Sequence, residues 1–289
     1  SQTRPEGGSQ IHGQGTSTMK FDIRGNNVYA YTAGKSMDPA LPTVVFLHGA
    51  QHDHSVWGLQ SRYLAHHGMN VLALDLPGHH RSTGAPLTTI EAMADRVVAV
   101  LDAAGIGKAT WVGHSMGSLI ALDAAARHPD RVSRIALVGT AYPMKVSDVL
   151  LEAAAEREPE AIALVNAWSH STIAAKPSAP GPGFWTWGVN QRLMERVAQR
   201  NPAKVFLTDF EACNRYDRGM AAAAQVRCPV LAVLGQRDQM TPPRAAQALL
   251  DALRDAGAPV SVKVVNAGHA IMTEQPDALL DALVQFMRD

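Results

Sequence analysis

Short β-branched runs alternating with helix-length segments constrain this chain more than any other feature. Residues 43–47 (TVVFL), 70–76, 109–112, 132–138, 229–234 and 260–265 each read as a strand. Helix-like stretches follow at 57–67, 89–104, 115–128, 244–256 and 277–287, several of them stopped by Gly or Pro. In 89–104 the apolar residues Ile90, Met93, Val97, Val98 and Leu101 recur at helical period and end at Gly105. Continuous apolar strands joined by helices predict a mostly parallel sheet covered on both faces. Ahead of them, 21–24 and 28–32 flank Gly25-Asn26-Asn27 as a hairpin, which gives the sheet an antiparallel edge and eight strands in all.

After Tyr142-Pro143 the alternation stops. Residues 143–226 carry helical patterns without a strong strand and a Pro- and Gly-rich stretch at 176–183, so they read as a helical insertion over the sheet. The expected division is 19–142 as the first part of an α/β core, 143–226 as the insertion and 227–289 as the second part. Residues 1–18 are polar, contain no apolar signal region, and read as a leader or tail before Met19 as a native start.

Composition removes several function classes. Lys plus Arg and Asp plus Glu are each 26, so no basic excess exists to neutralise a phosphate backbone, and nucleic acid is not expected as a partner. No run reaches the roughly 18 apolar residues of a membrane helix. Cys213 and Cys228 cannot build a disulfide scaffold, which suits a reduced cytoplasmic setting. An apolar share of 46% against 18% charged residues is enough to build a sizeable core.

The chemistry-bearing motif is Gly113-His114-Ser115-Met116-Gly117, between an apolar strand and a helix. A sharp strand-to-helix turn needs glycine where side chains would collide, and it lifts the central serine over the sheet end beside a helix N-terminus. With His48-Gly49, Trp57 and Asp75-Leu76-Pro77-Gly78, this motif makes the chain from about Met19 onward resemble an α/β-hydrolase fold serine hydrolase, esterase-like and with a helical cap. One departure stands out: many relatives read Gly-x-Ser after Pro77-Gly78, where this chain has His80-Arg81-Ser82.

The resemblance implies a nucleophile, acid and base in that chain order, and Ser115, Asp238 and His269 fit it. Asp238 follows strand 229–234 and His269 follows strand 260–265; the loop after 132–138 offers no carboxylate before Asp148. The oxyanion hole is expected from the backbone N–H groups of Met116 and Ala50. His54, Trp168, Trp185 and Trp187 are substrate-pocket candidates, against a plainer reading of the tryptophans as packing. Trp57 is expected to pack under the oxyanion loop. His52, Asp53 and His54 lack an evident third and fourth ligand, so neither metal nor cofactor is expected.

The implied function is carboxylic ester hydrolysis of a small, largely apolar substrate through an acyl-enzyme. Alternatives are a C–C bond hydrolase of ring-cleavage products, a cofactor-free haloperoxidase-like enzyme, and a non-catalytic ligand receptor on the same scaffold. A small molecule is the expected partner; homo-oligomerisation is left open.

Overall fold

The computed structural model describes residues 18–171 and 182–289. Most of the 1–18 leader and of the 176–183 loop, and the side chain of Trp185, lie outside the described residues.

Eight strands form one sheet: β1 (Thr18–Ile23), β2 (Asn26–Tyr31), β3 (Thr43–Leu47), β4 (Asn70–Leu74), β5 (Ala109–His114), β6 (Val132–Val138), β7 (Val230–Gly235) and β8 (Val260–Val265). Their order is β1-β2-β4-β3-β5-β6-β7-β8. The β1–β2 hairpin joins β4 antiparallel, and every pairing from β4 through to β8 is parallel. The β-branched runs explain this arrangement: every residue of β3, β4, β5 and β7 is buried, so the central strands have no solvent face to alternate toward. At the edge, most of β8 is exposed.

Helices α1 (Gly58–His66), α2 (Ile90–Ala103), α3 (Met116–Arg127), α9 (Gln247–Asp255), α10 (Ile271–Glu274) and α11 (Pro276–Arg288) connect or follow the strands. Between β6 and β7 come α4 (Asp148–Glu156), α5 (Glu158–Ser169), α6 (Pro182–Arg200), α7 (Val205–Arg215) and α8 (Gly219–Ala223), with no strand among the described residues there. Alternate residues of β3 enter separate cores. Val45 and Leu47 pack with Trp111 and Leu119, while Val44 and Phe46 pack with Trp57, Phe206 and Leu283. The inserted helices therefore share the second core through Phe206. Trp57 is fully buried on Phe46, with ring centroids 5.0 Å apart.

Boundaries shift where side chains intervene. The segment read as one helix over 57–67 starts as a 3-10 turn at His54–Trp57, because Asp53 accepts the Ser55 N–H as its cap. Strand β4 stops at Leu74, two residues early, since the Asp75 carboxylate gathers backbone N–H groups from His54 and Arg81 and the chain must turn around it.

The β5–α3 turn fixes what the sheet end presents. A Cβ on Gly113 would sit 2.0 Å from the Gly117 carbonyl oxygen, and one on Gly117 would sit 2.4 Å from the Leu47 oxygen. Both obstacles are backbone and cannot rotate away. Gly113→Ala should destabilise the protein by about 3 kcal/mol or leave it unfolded, at or above the usual cost of overpacking. Gly107→Ala, where a Cβ meets nothing within 4 Å, should stay within about 0.5 kcal/mol. Urea unfolding of the two variants checks the contrast.

Candidate functional site

Ser115 occupies the tip of the β5–α3 turn with φ at 52° and ψ at −114°, a positive-φ conformation unusual for serine. Its N–H donates to the Val138 oxygen at 2.9 Å, and its own carbonyl accepts from Ser118 N–H and Oγ. From Ala109 to Ala126, Ser115 is the one residue that is not buried. The strain and exposure coincide at the same atom group, which is what a turn built to present a side chain requires. Met116 opens α3, so its N–H has no acceptor within the helix.

Gly49 closes in from the β3 side. A Cβ there would lie 3.3 Å from Ser115 Cβ and 3.1 Å from His114 Nδ1, so glycine lets the loop carrying Ala50 lie this close without crowding either side chain. Ala50 is half-buried between buried neighbours. The loop is held from the far side: Gln51, at φ 59°, donates its N–H to Asp209 Oδ2 at 3.0 Å. Asp209 Oδ2 also takes His79 Nε2 at 2.7 Å. Burial alone would lower the His79 pKa, but Asp209 outweighs it and the imidazole is held above its ordinary value. Asp209 lies on α7 between Phe206 and Phe210, and a carboxylate on that apolar face was the one sequence sign of this anchor.

Asp238 and His269 meet directly. His269 Nδ1 donates to Asp238 Oδ2 at 2.8 Å. The same oxygen accepts Thr241 Oγ1–H at 2.7 Å, while Oδ1 accepts the N–H groups of Met240 and Thr241 at 2.8 Å each. Burial by itself would raise the Asp238 carboxyl; the His269 partner and the Thr241 donors overcome it and hold the carboxyl well below the usual carboxylate range. With Nδ1 donating, the lone pair of neutral His269 lies on Nε2.

His114, a variable position in the motif, has a task the sequence did not reveal. Its Nε2 donates to the His269 carbonyl at 2.9 Å, and the two rings lie 4.6 Å apart. The residue preceding Ser115 thus holds the loop of His269. Glu274 secures the same loop by accepting the Gly268 and Ser171 N–H groups.

The pocket candidates separate. His54 spends Nδ1 on Asp75 at 2.8 Å and rests against the Tyr29 and Tyr31 rings. Trp168 is 36% exposed, and Trp187 is half-buried with its carbonyl accepting from Asn166. His52 and His170 also lie within electrostatic range of His269. His52 donates Nε2–H to Asn190 and His170 donates Nδ1–H to the Asn166 carbonyl. Their other nitrogens, with His114 Nδ1, are buried acceptors that find no hydrogen-bond partner among the described residues.

Burial pushes His48 and His52 down to about 4. The unfolded chain protonates such residues near 6.5 and the folded chain does not, so stability falls as pH drops from about 6.5 toward 4. His52 alone should contribute a slope approaching roughly 1.4 kcal/mol per pH unit inside that window. Urea midpoints at pH 7, 6 and 5 should converge in the His52→Gln variant relative to the parent.

The alpha/beta hydrolase fold family model matches residues 42–276. The pimeloyl-[acyl-carrier protein] methyl ester esterase of Chromobacterium violaceum is 28% identical over 282 residues, covering 90% of this chain and 98% of that protein. A putative carbamate hydrolase, RutD, of Caulobacter vibrioides is 29% identical over 223 residues, covering 72% and 78%. The crystal structure of the enol-lactonase from Burkholderia xenovorans LB400 superposes with a TM-score of 0.80 at 22% identity, over 93% of this chain and all of that one, a likeness of fold. The family match over most of the chain, the sheet order and the glycine-gated turn at Ser115 agree: this chain belongs to the alpha/beta hydrolase fold family.

Proposed function

We propose that the protein is a serine hydrolase that cleaves carboxylic esters through an acyl-enzyme, with Ser115 as nucleophile, His269 as base and Asp238 as the acid that orients it. The observation that carries this reading is the His269 Nδ1 to Asp238 contact of 2.8 Å, which leaves the imidazole lone pair on Nε2 to take a serine proton. Thr241 and two backbone N–H groups keep the carboxylate ionised, so it can stabilise the imidazolium that forms.

In this reading Ser115 Oγ attacks the ester carbonyl while its proton passes to His269. The oxyanion is stabilised by the N–H groups of Met116 and Ala50, the first at the start of α3 and the second on a loop that Gly49 and the Gln51–Asp209 bond hold close. His269 then gives its proton to the departing alkoxide. Water, deprotonated by the same imidazole, releases the acid. Relatives named as esterases support ester chemistry over the other reactions of the fold. The helices over 143–226 are read as the cap of this site.

The substrate reading gains one element. His52 Nδ1, His114 Nδ1 and His170 Nε2 are acceptors, and a buried acceptor without a partner favours a ligand that brings a donor. An ester bearing a hydroxyl or amide N–H near its carbonyl suits the site better than a plain alkyl ester.

A fluorophosphonate probe should label Ser115, located by peptide mass spectrometry; a protein that remains unlabelled there would defeat the proposal. Ser115→Ala should lose at least about 1,000-fold in ester turnover, and Asp238→Asn a comparable factor through the wrong imidazole tautomer. Hydroxy- or amide-substituted acyl esters should show a kcat/KM about tenfold above size-matched alkyl esters. His52→Leu should reduce that preference while leaving the fluorophosphonate reaction in place.

A further inference from the structure

The loops after β3 and β4 bring four ligating side chains together outside the Ser115 site. Asp53, His54, Asp75 and His80 place their donor atoms within 4.8 Å of one another, although 53–54 and 75–80 lie apart in sequence. Asp53 and Asp75 are fully buried and the His80 side chain is 6% exposed. His80 Nδ1 is 3.4 Å from Asp53 Oδ2 and 3.5 Å from Asp75 Oδ2, yet its geometry gives a sound hydrogen bond to neither.

These separations have a chemical meaning. In a tetrahedral zinc site with N and O ligands at about 2.0–2.1 Å, neighbouring ligand atoms stand about 3.4 Å apart. A hydrogen bond would draw the imidazole nitrogen to about 2.8 Å of one carboxylate. The nitrogen instead faces two carboxylate oxygens at the edge length of a coordination polyhedron, without an acceptor of its own.

His80 is also kept there against local preference. Its φ is 40°, in the left-handed region where glycine is at ease and a β-carbon is not. A glycine would satisfy the turn. The histidine adds backbone strain and an imidazole nitrogen aimed between two buried carboxylates. The sequence gives His52, Asp53 and His54 no third ligand; the end of β4 supplies Asp75, and the turn beyond supplies His80.

We propose that Asp53 Oδ2, Asp75 Oδ2 and His80 Nδ1 form a site for a divalent cation of the zinc class, with water as fourth ligand. The remaining contacts fit this assignment. Asp53 Oδ1 is held by Ser55, and Asp75 Oδ1 by His54 N–H and Nδ1, so each carboxylate is already oriented through its other oxygen. Asp75 Oδ2 also accepts the Arg81 N–H at 3.1 Å. Arg196 Nη2 on Asp53 Oδ2 at 2.6 Å is the competing cation; that side chain is 42% exposed and can turn into water when a metal takes its place. A bound ion would fasten the loop beyond Ala50 to the end of β4, adjacent to the proposed oxyanion hole but chemically separate from Ser115.

The test uses the full chain freed of metal by a chelator and titrated with Zn2+ against a chromophoric competitor. The parent should bind one Zn2+, and His80→Gly should bind it about 100-fold more weakly while folding at least as well, since glycine relieves the strained φ. Arg196→Gln should bind zinc several-fold more tightly. Co2+ should give the visible band of a tetrahedral N/O site in the parent and lose it in His80→Gly. Zinc should raise Tm in the parent and in Arg196→Gln but, at the same concentration, not in His80→Gly. Zinc bound equally by parent and His80→Gly, which would put it elsewhere, or bound by neither, overturns the proposal.

Discussion

Everything above the sheet depends on the close approach of two backbones at the β5–α3 turn. Gly113 and Gly117 let helix α3 start against β5 and β3 at distances no side chain permits. That approach forces the intervening residue into a positive φ, so Ser115 bears the strain, and strain is what lifts it out of an otherwise buried run. The parallel sheet contributes the rest. The turns after β3, β4, β5, β7 and β8 all leave the carboxyl ends of strands running the same way, so segments distant in sequence converge on one layer.

That layer is stitched by side chains and not by more secondary structure. Asp209 reaches from α7 to the Gln51 N–H, a separation of 158 residues, and also holds His79. His114 ties β5 to the His269 loop, and Glu274 ties that loop to Ser171 beyond α5. Each bond ties a loop to a helix or strand, and without it the loop would be free to move. In the proposed reaction, fixing these loops before a substrate arrives reduces the reorganisation that charge development would demand.

Much of this was legible in the sequence because it is local. The strand runs at 43–47, 132–138 and 260–265 were readable from β-branching and flanking turn residues, and those spans match β3, β6 and β8. Ser115 was legible because its requirement, glycine two residues to either side between strand and helix, is written within five positions. Asp238 and His269 were readable because each follows a strand closely, and their contact at 2.8 Å is the product of parallel neighbours β7 and β8. Asp209, Thr241 and His80 were not legible as functional positions. Their partners are set by how loops cross above the sheet, and no periodicity records that. His54 shows the converse: its place beside the oxyanion loop suggested the pocket, but its Nδ1 is committed to Asp75.

The choice of counter-ion in this layer follows from burial. Asp53, Asp75, Asp209 and Asp238 are all buried, and each has an imidazole against it: His80, His54, His79 and His269. A lysine or arginine in those places would bring a permanent charge whose desolvation must be offset at every pH. Imidazole can be a neutral donor where burial dominates, as at His48 and His52, or have its pKa held above the ordinary value where a carboxylate outweighs burial, as at His79. Asp53 also meets a fixed cation, Arg196, whose side chain is 42% exposed and so keeps much of its hydration; at Asp75, Asp209 and Asp238 histidine holds the carboxylate, and by our proposal His269 also passes a proton. Eight of the 12 histidines of a chain with no net charge lie there for that physical reason, with His48, His52, His114 and His170 completing the set around the same loops.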